Sequence, residues 1–538
     1  MSMTHPAPTA DGTIEIDELS MDGIRAGALL GRPVTVLGCA RTGIASARFL
    51  ADVGAIVTIY DGRTRAELAA YIAGLEGRPV IFALGPDVDA ASTWVNAALV
   101  VTSPSITPDF PTTGPILRAA LADLVAARAA GVPGTPALVS EPDLFLRLCP
   151  APTIGVTGTK GKTTTAAFTA AVLGGNPAHP VVLGGNIGSP LIERLPELTA
   201  NHRVVIELSE LQLPTLSRGT TVAVYTNVTA DHLDRHGSVS AYRRAKRRLA
   251  ELVDPDGALV LNAEDPVVGG YAGLGTAPTV MYRLERPFAG GVGVVDGWIV
   301  AAGLQRLPIA GRGPAATGPG GRIMPVNELA MPGRHNVRNA LAGIATALLF
   351  GVAPDAIRRE AARFTGVEHR LETVAVVNGV RFVNDSQGTQ PDAVIAALEA
   401  FPAPIVLIAG GRDKGVDLHP LADVVATRAT AAVLIGESAD ALASLFASAG
   451  LERIERADSM QAAVEQAARI AAEARVATGE AGSGPIGRIA TVLLSPAAAS
   501  FDMFTDYAAR GRAFKDAVAS LPGDATSAGG RMAPKARS

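Results

Sequence analysis

Residues 155–164, GVTGTKGKTT, follow the apolar stretch 151–156 and lead into an alanine-rich segment, so a strand must turn through glycines directly into a helix. That order restricts the surrounding fold to a mostly parallel α/β sheet, because strand–turn–helix units return to the sheet in parallel. It also describes a phosphate cradle. Gly158 and Gly161 let backbone N–H groups crowd onto an anion, and the helix N-terminus adds partial positive charge. Lys162 is placed to reach β/γ phosphate oxygens and Thr163 to offer a hydroxyl to Mg²⁺, with Thr159, Lys160 and Thr164 completing the loop. The spacing is TGxxGKTT rather than GxxxxGK[ST], since Val156 stands where the commoner motif has its first glycine. A merely flexible Gly/Thr loop would not need strand, lysine, hydroxyls and helix in this order. ATP is the expected ligand.

At 538 residues the chain exceeds one hydrophobic core and is expected to form about three domains. A net charge of -4 gives no electrostatic basis for binding nucleic acid. Cys39 and Cys149 cannot build a disulfide framework, and residues 1–22 lack the layout of a signal peptide. The longest apolar run, 340–353, is too short to span a bilayer. These features predict a cytoplasmic enzyme, monomeric, without membrane insertion, acting on small molecules.

Strand and helix patterns alternate three times. Residues 25–138 carry VTVLG, AIVTIYD, VIFAL and ALVVTSP. A central domain, 139–366, carries the phosphate loop with VVLGG, RVVIELS, VAVYTNV and ALVLNA, and a Gly/Pro-rich surface loop at 311–321. The third domain, 367–521, carries RFVND, PIVLIAGG, AAVLIG and IATVLLSP. Residues 1–24 and 522–538 have the composition of disordered ends.

Other clusters fall at expected strand ends, where α/β sheets bind ligands. Gly38-Cys-Ala-Arg-Thr-Gly43, with Asp61 beyond the next strand, approximates a dinucleotide fingerprint. Ala40 replaces its middle glycine, which favours a nucleotide phosphate or uridine over NAD. Glu207 ends RVVIELS, where a carboxylate could share Mg²⁺ with Thr163. His232 and His236 have the spacing of a zinc pair but no third ligand, so one histidine near a second Mg²⁺ or the substrate is the better reading. Lys246, flanked by Arg243, Arg244, Arg247 and Arg248, is expected to have its ammonium form disfavoured by like charge. The neutral amine could then react with CO₂ to give an anionic carbamate, although a solvated basic helix face is the simpler alternative.

TGTKGKTT, GGNIG, IELSELQL, NVTADHLDRHG, YRRAK, LNAEDP, GRHNVRNAL, HRLE, NDSQGT, GGRDKGVD and LLSPAAASFDMF occur in the order and spacing of the Mur ligases, and the resemblance covers nearly the whole chain. Within the family it is most similar to the members that join D-glutamate to a UDP-linked muramoyl-alanine. The resemblance implies a Rossmann-like UDP-binding domain, a central P-loop-like ATPase domain and a C-terminal Rossmann-like domain. It implies ATP and two Mg²⁺ ions, with Lys162, His232 and a carbamylated Lys246 as catalytic residues. Arg41, Thr42, Asp61, Arg63, Asn186, Ser209 and Gln212 would bind the UDP substrate. Asn262, Arg370 and Asp385 would meet the nucleotide, and Thr163, Glu207, His232 and Lys246 the metals. Thr389, Lys414, Ser500, Phe501 and Tyr507 would form the glutamate pocket. The chain departs from the family pattern at Gln387, where lysine is common, at Ser105, where glycine is common, and at Glu210, where serine is common. Ligation of L-glutamate or another amino acid, and simple phosphotransfer, are the alternatives.

Overall fold

A computed structural model describes residues 12–187, 190–229, 233–331, 333–413, 417–477, 489–523 and 525–527. By packing, the chain divides into two compact units, Met1–Phe364 and Thr365–Ser538.

The first unit holds two main sheets. Five parallel strands run in the order Val80–Leu84, Ile56–Asp61, Pro33–Leu37, Leu99–Thr102, Ala137–Ser140. Their order reverses beside Pro33–Leu37, the point at which an open α/β sheet leaves a crevice at its strand ends. The second sheet has nine strands, with Thr153–Thr157 between Arg203–Glu207 and Val222–Tyr225. These central strands are buried on both faces, which explains their continuous Val/Ile/Leu content. One apolar cluster runs from Val34, Val57 and Leu99 of the first sheet through Leu144 and Phe145 to Leu191, Ile206 and Leu259 around the second. Helix Lys162–Leu173 packs on helix Arg334–Leu349, whose Ala-rich sequence allows close approach.

Two expectations, both about the chain ends, are corrected here. Residues 12–24, expected to be disordered, are packed: Ile14, Leu19, Met21 and Ile24 are buried in the same apolar cluster as the first sheet. The backbone N–H of Ile14 donates to Ala98 O, and Arg147 pairs with Asp17. The central sheet extends beyond the expected strands through Thr279–Tyr282, Val292–Val295, Trp298–Ala301 and Arg322–Pro325, the last two antiparallel. At the other end, the C-terminal tail is not wholly irregular, because Ala525–Ser527 adds an antiparallel edge strand to Glu372–Val377. The loop 311–321 carries a two-strand bridge at Gly313–Pro314 and a short 3-10 turn.

The second unit is a seven-stranded sheet, parallel from Ile454–Arg456 through Val380–Asn384 and antiparallel at Glu372–Val377 and the edge strand Ala525–Ser527. Apolar clusters cover both of its faces. Among the described residues no helix is long and apolar enough to cross a membrane.

Candidate active site

The phosphate loop leaves strand Thr153–Thr157 and enters helix Lys162–Leu173 with Gly161 as N-cap in the left-handed region (φ 83°). A Cβ on Gly158 would lie 1.9 Å from Thr226 Oγ1, so only glycine permits that approach. The loop is clamped by the end of the neighbouring strand. Asn227 accepts from Lys160 N (2.9 Å) and donates to Lys160 O (2.9 Å), while its own carbonyl accepts from Thr159 N (2.7 Å). Thr226 Oγ1 donates to Lys160 O at 2.7 Å. These contacts fix the loop before any anion arrives, which lowers the ordering cost of binding. Lys162 Nζ donates to Thr159 O at 2.9 Å, within the loop it is expected to serve.

Glu207 is only 2% exposed. Its Oε1 accepts from Asn186 Nδ2 at 3.0 Å, whereas Oε2, equally buried, has no hydrogen-bond partner among the described residues. A buried carboxylate oxygen without a donor is costly unless a cation meets it. Thr163, also buried, is the second residue of the helix Lys162–Leu173. No cluster of three or more His, Cys, Asp or Glu side chains forms a metal cage among the described residues. Mg²⁺ suits such a sparse oxygen set, since it keeps waters and takes phosphate oxygens as ligands. The residues present therefore fit the ion.

Lys246 is fully buried on helix Val239–Leu252, so the alternative of a solvated basic face does not describe it. Arg243, Arg244 and Arg247 are exposed, while Tyr242, Ala245, Lys246, Leu249 and Ala250 form the inward face. Lys246 Nζ donates to Gly158 O (2.9 Å) and Thr157 Oγ1 (3.2 Å), directly beneath the loop, and lies 5.6 Å from the Tyr242 ring centre. Tyr242 in turn shares a 2.9 Å hydrogen bond with Thr159 Oγ1. The His236 ring packs edge-on against Tyr242 and Phe110. His232, Lys414 and Gly188 lie outside the described residues.

A cavity of about 210 Å³ opens in the same unit. It brings together Arg41, Thr42, Asn186, Ser209 and Gln212, five of the residues expected to hold the UDP substrate. Ser209 N and Oγ both donate to Gln212 Oε1 (2.9 and 3.0 Å), which fixes the orientation of the Gln212 amide at the cavity wall. Asn186 joins this cavity to Glu207. Asp61 and Arg63 do not line it. They engage each other instead: Asp61 Oδ1 accepts Arg63 N and Nε (3.0 Å each), and Oδ2 accepts Arg63 Nη2 and Cys39 N (2.8 Å each). Burial pulls the Asp61 carboxyl upward, but these donors outweigh it and hold it below the usual carboxylate range. A ribose hydroxyl would have to displace one of them. Asn262 is likewise committed, donating to Thr226 O (2.8 Å) and accepting from Glu264 N (3.0 Å). The departure Glu210 is matched by Arg235 at 3.5 Å.

In the second unit, Asp385 directly follows the strand Val380–Asn384 and accepts from Ser495 Oγ (2.7 Å) and Leu371 N (3.2 Å). Burial pushes its carboxyl up to about 6. Arg370 lies between His369 and Leu371, both at positive φ (63° and 45°), a strained turn held by Gln387 N donating to His369 O. Ser500 is buried, whereas Phe501 is 63% exposed and Tyr507 partly exposed, so the aromatic residues have surface available for a ligand. Sequence reasoning missed Arg510, which is 1% exposed. It donates to Ser386 Oγ (3.0 Å), Ser386 O (3.0 Å), Ala498 O (3.2 Å) and Ala499 O (3.3 Å), tying the Asp385 loop to the loop before Ser500. Burial lowers its guanidinium to about 10, still charged at neutral pH. Arg510→Met should leave several buried acceptors unsatisfied and cost on the order of 3 kcal/mol. A denaturant titration with an unchanged midpoint would contradict this role.

The chain matches the family descriptions "Mur ligase middle domain" over residues 156–347 and "Mur ligase, glutamate ligase domain" over 369–483. It is 36% identical over 493 residues to a UDP-N-acetylmuramoylalanine–D-glutamate ligase of Pelotomaculum thermopropionicum, covering 91% of this chain and 98% of that one. The ligase of the same name from Symbiobacterium thermophilum is 36% identical over 499 residues, covering 92% and 100%. Among solved structures, a pseudomurein peptide ligase type C from Methanothermus fervidus aligns over 91% of this chain and 99% of its own, at 18% identity and a TM-score of 0.44. On the strength of its sequence relatives, the chain belongs to the Mur ligase family, whose members are ATP-dependent ligases.

Proposed function

We propose that the chain joins the amino group of D-glutamate to the alanyl carboxylate of UDP-N-acetylmuramoyl-L-alanine, driven by ATP, in cytoplasmic peptidoglycan precursor synthesis, and that it acts as a monomer. One observation carries the reading: Asn186 lines the cavity and holds Glu207, so the place for a sugar-linked acid and the place for a phosphate-bound cation share a side chain.

In the proposed reaction a carboxylate oxygen of the UDP substrate attacks the γ-phosphorus, ADP leaves, and an acyl phosphate forms. The glutamate amine then attacks the acyl carbon, phosphate leaves, and the amine loses a proton. Lys162 and the amides of Gly158–Thr163 hold and neutralise the phosphates, which is positioning and electrostatics rather than covalent catalysis by the protein. Thr163 and Glu207 would hold one Mg²⁺, and His232 with a carbamylated Lys246 the second. Such ions screen charge on the transferring phosphoryl group. Asn262, Arg370 and Asp385 are the candidate adenine, phosphate and ribose contacts, and Thr389, Lys414, Ser500, Phe501 and Tyr507 the candidate glutamate contacts.

The test is a panel with ATP, Mg²⁺ and UDP-N-acetylmuramoyl-L-alanine, supplied in turn with D-glutamate, L-glutamate, meso-diaminopimelate and L-lysine. Amino-acid-dependent ADP release is expected with D-glutamate alone. Equal turnover with another amino acid would reassign the acceptor, and full turnover without any would favour phosphotransfer.

A further inference from the structure

Of the described residues that line the cavity, only Arg41 and Glu141 carry charge. Glu141 is the first residue of helix Glu141–Leu148, just after strand Ala137–Ser140, and is 7% exposed. Its surroundings do not neutralise it. The Ile192 N–H donates to its carboxyl, Glu193 adds like charge from the segment Leu191–Glu197, and Arg41 attracts it from helix Arg41–Asp52. Glu193 is itself paired with Arg48 at 2.7 Å. Among the described residues, no basic group lies within ion-pair distance of Glu141. Burial dominates, followed by the smaller lowering from Ile192, and the carboxyl is pushed up to about 7.

We propose that Glu141 is a ligand-binding residue of this cavity that takes up one proton as the substrate enters, its carboxyl O–H then donating to an amide or carboxylate oxygen of that ligand. The inference rests on the reading that the cavity receives the muramoyl-alanyl part of the UDP substrate. That part is rich in amide acceptors and carries a carboxylate. A second anion brought next to a buried carboxylate favours its neutral form. The proton comes from solvent, and no covalent bond of the ligand changes. A site built around a neutral acid discriminates against ligands that lack an acceptor at that position, because the buried O–H would be left without a partner.

The test is calorimetric titration of the full-length protein with UDP-N-acetylmuramoyl-L-alanine, without ATP, in buffers of different ionisation enthalpy. At pH 8 the wild type is expected to take up close to one proton per ligand, and its Kd should rise about tenfold per pH unit above 7. Glu141→Gln, which keeps the shape and a donor, should show no uptake, a Kd independent of pH, and affinity within about threefold of the wild type at pH 7. Glu141→Leu, with an unchanged circular dichroism spectrum, should bind at least about tenfold more weakly. Proton uptake undiminished in Glu141→Gln, or undiminished affinity in Glu141→Leu, would overturn the proposal. Wild-type binding without uptake would do the same while leaving the assignment of the cavity intact, whereas no binding at all would remove that assignment too.

Discussion

Lys162→Ala is expected to lower kcat by about a thousandfold or more while leaving the affinity for UDP-N-acetylmuramoyl-L-alanine within about threefold. The lysine is the first residue of the helix that follows the loop, and its Nζ donates to Thr159 O at 2.9 Å. Its charge is therefore directed at the loop. The cavity that would hold the UDP substrate is lined by other elements, from Arg41 to Gln212, and does not include Lys162. A cation aimed at a transferring phosphoryl acts mainly on the transition state, so its loss should appear in kcat more than in binding of the other substrate. Steady-state ADP release combined with calorimetry on the UDP substrate checks both halves. Retention of more than a tenth of the wild-type kcat would remove Lys162 from the mechanism.

Lys246→Ala should be nearly as severe, with a loss of at least about a hundredfold, and it separates two readings of the buried amine. As an ammonium, Lys246 would simply brace the loop through Gly158 O and Thr157 Oγ1. As a carbamate its nitrogen keeps one proton, so only one of those hydrogen bonds persists, and the new carboxylate becomes an oxygen donor to a cation. Formate or acetate should restore activity at least about tenfold if the carbamate is the functional form. Rescue by methylamine but not by carboxylates would establish the ammonium brace instead. Because Lys246 is fully buried, a circular dichroism spectrum and a thermal midpoint must accompany the assay, so that a folding defect is not read as lost chemistry.

The parts of this molecule that were legible in its sequence are those with a local signature. The phosphate loop announces itself because glycines, lysine and hydroxyls must sit at fixed offsets between strand and helix, and strand Thr153–Thr157 and helix Lys162–Leu173 fall on either side of it. The parallel strands are continuous apolar runs because both of their faces are covered. The antiparallel extension was not legible. Trp298–Ala301 and Arg322–Pro325 pair across a long intervening loop, and backbone pairing of that kind leaves no trace in local composition. The same holds for Ala525–Ser527, whose small residues offer little apolar signal.

Lys246 shows a signal that was present but weighed wrongly. Tyr242, Ala245, Leu249 and Ala250 recur at helical spacing around it, so the amine had to share their inward face and the arginines the outward one. Asn227, by contrast, acts through main-chain contacts to Lys160, and one asparagine at a strand end has no pattern that predicts such a clamp. Arg510 was invisible for a different reason: all four of its acceptor residues and groups, at Ser386, Ala498 and Ala499, are supplied by loops more than ten residues away. Asp61 and Arg63 were read as ligand contacts, yet their spacing also suits the closed fork they form with each other.

The central claim is that a carboxylate oxygen of the UDP substrate becomes bonded to the γ-phosphorus of ATP before the amine arrives. Supplying UDP-N-acetylmuramoyl-L-alanine labelled with ¹⁸O in its alanyl carboxylate, together with ATP, Mg²⁺ and D-glutamate, tests this in one mass spectrum of the released phosphate. The account predicts one carboxylate-derived oxygen in each phosphate formed. Phosphate free of label, at a normal rate of amide formation, would contradict it.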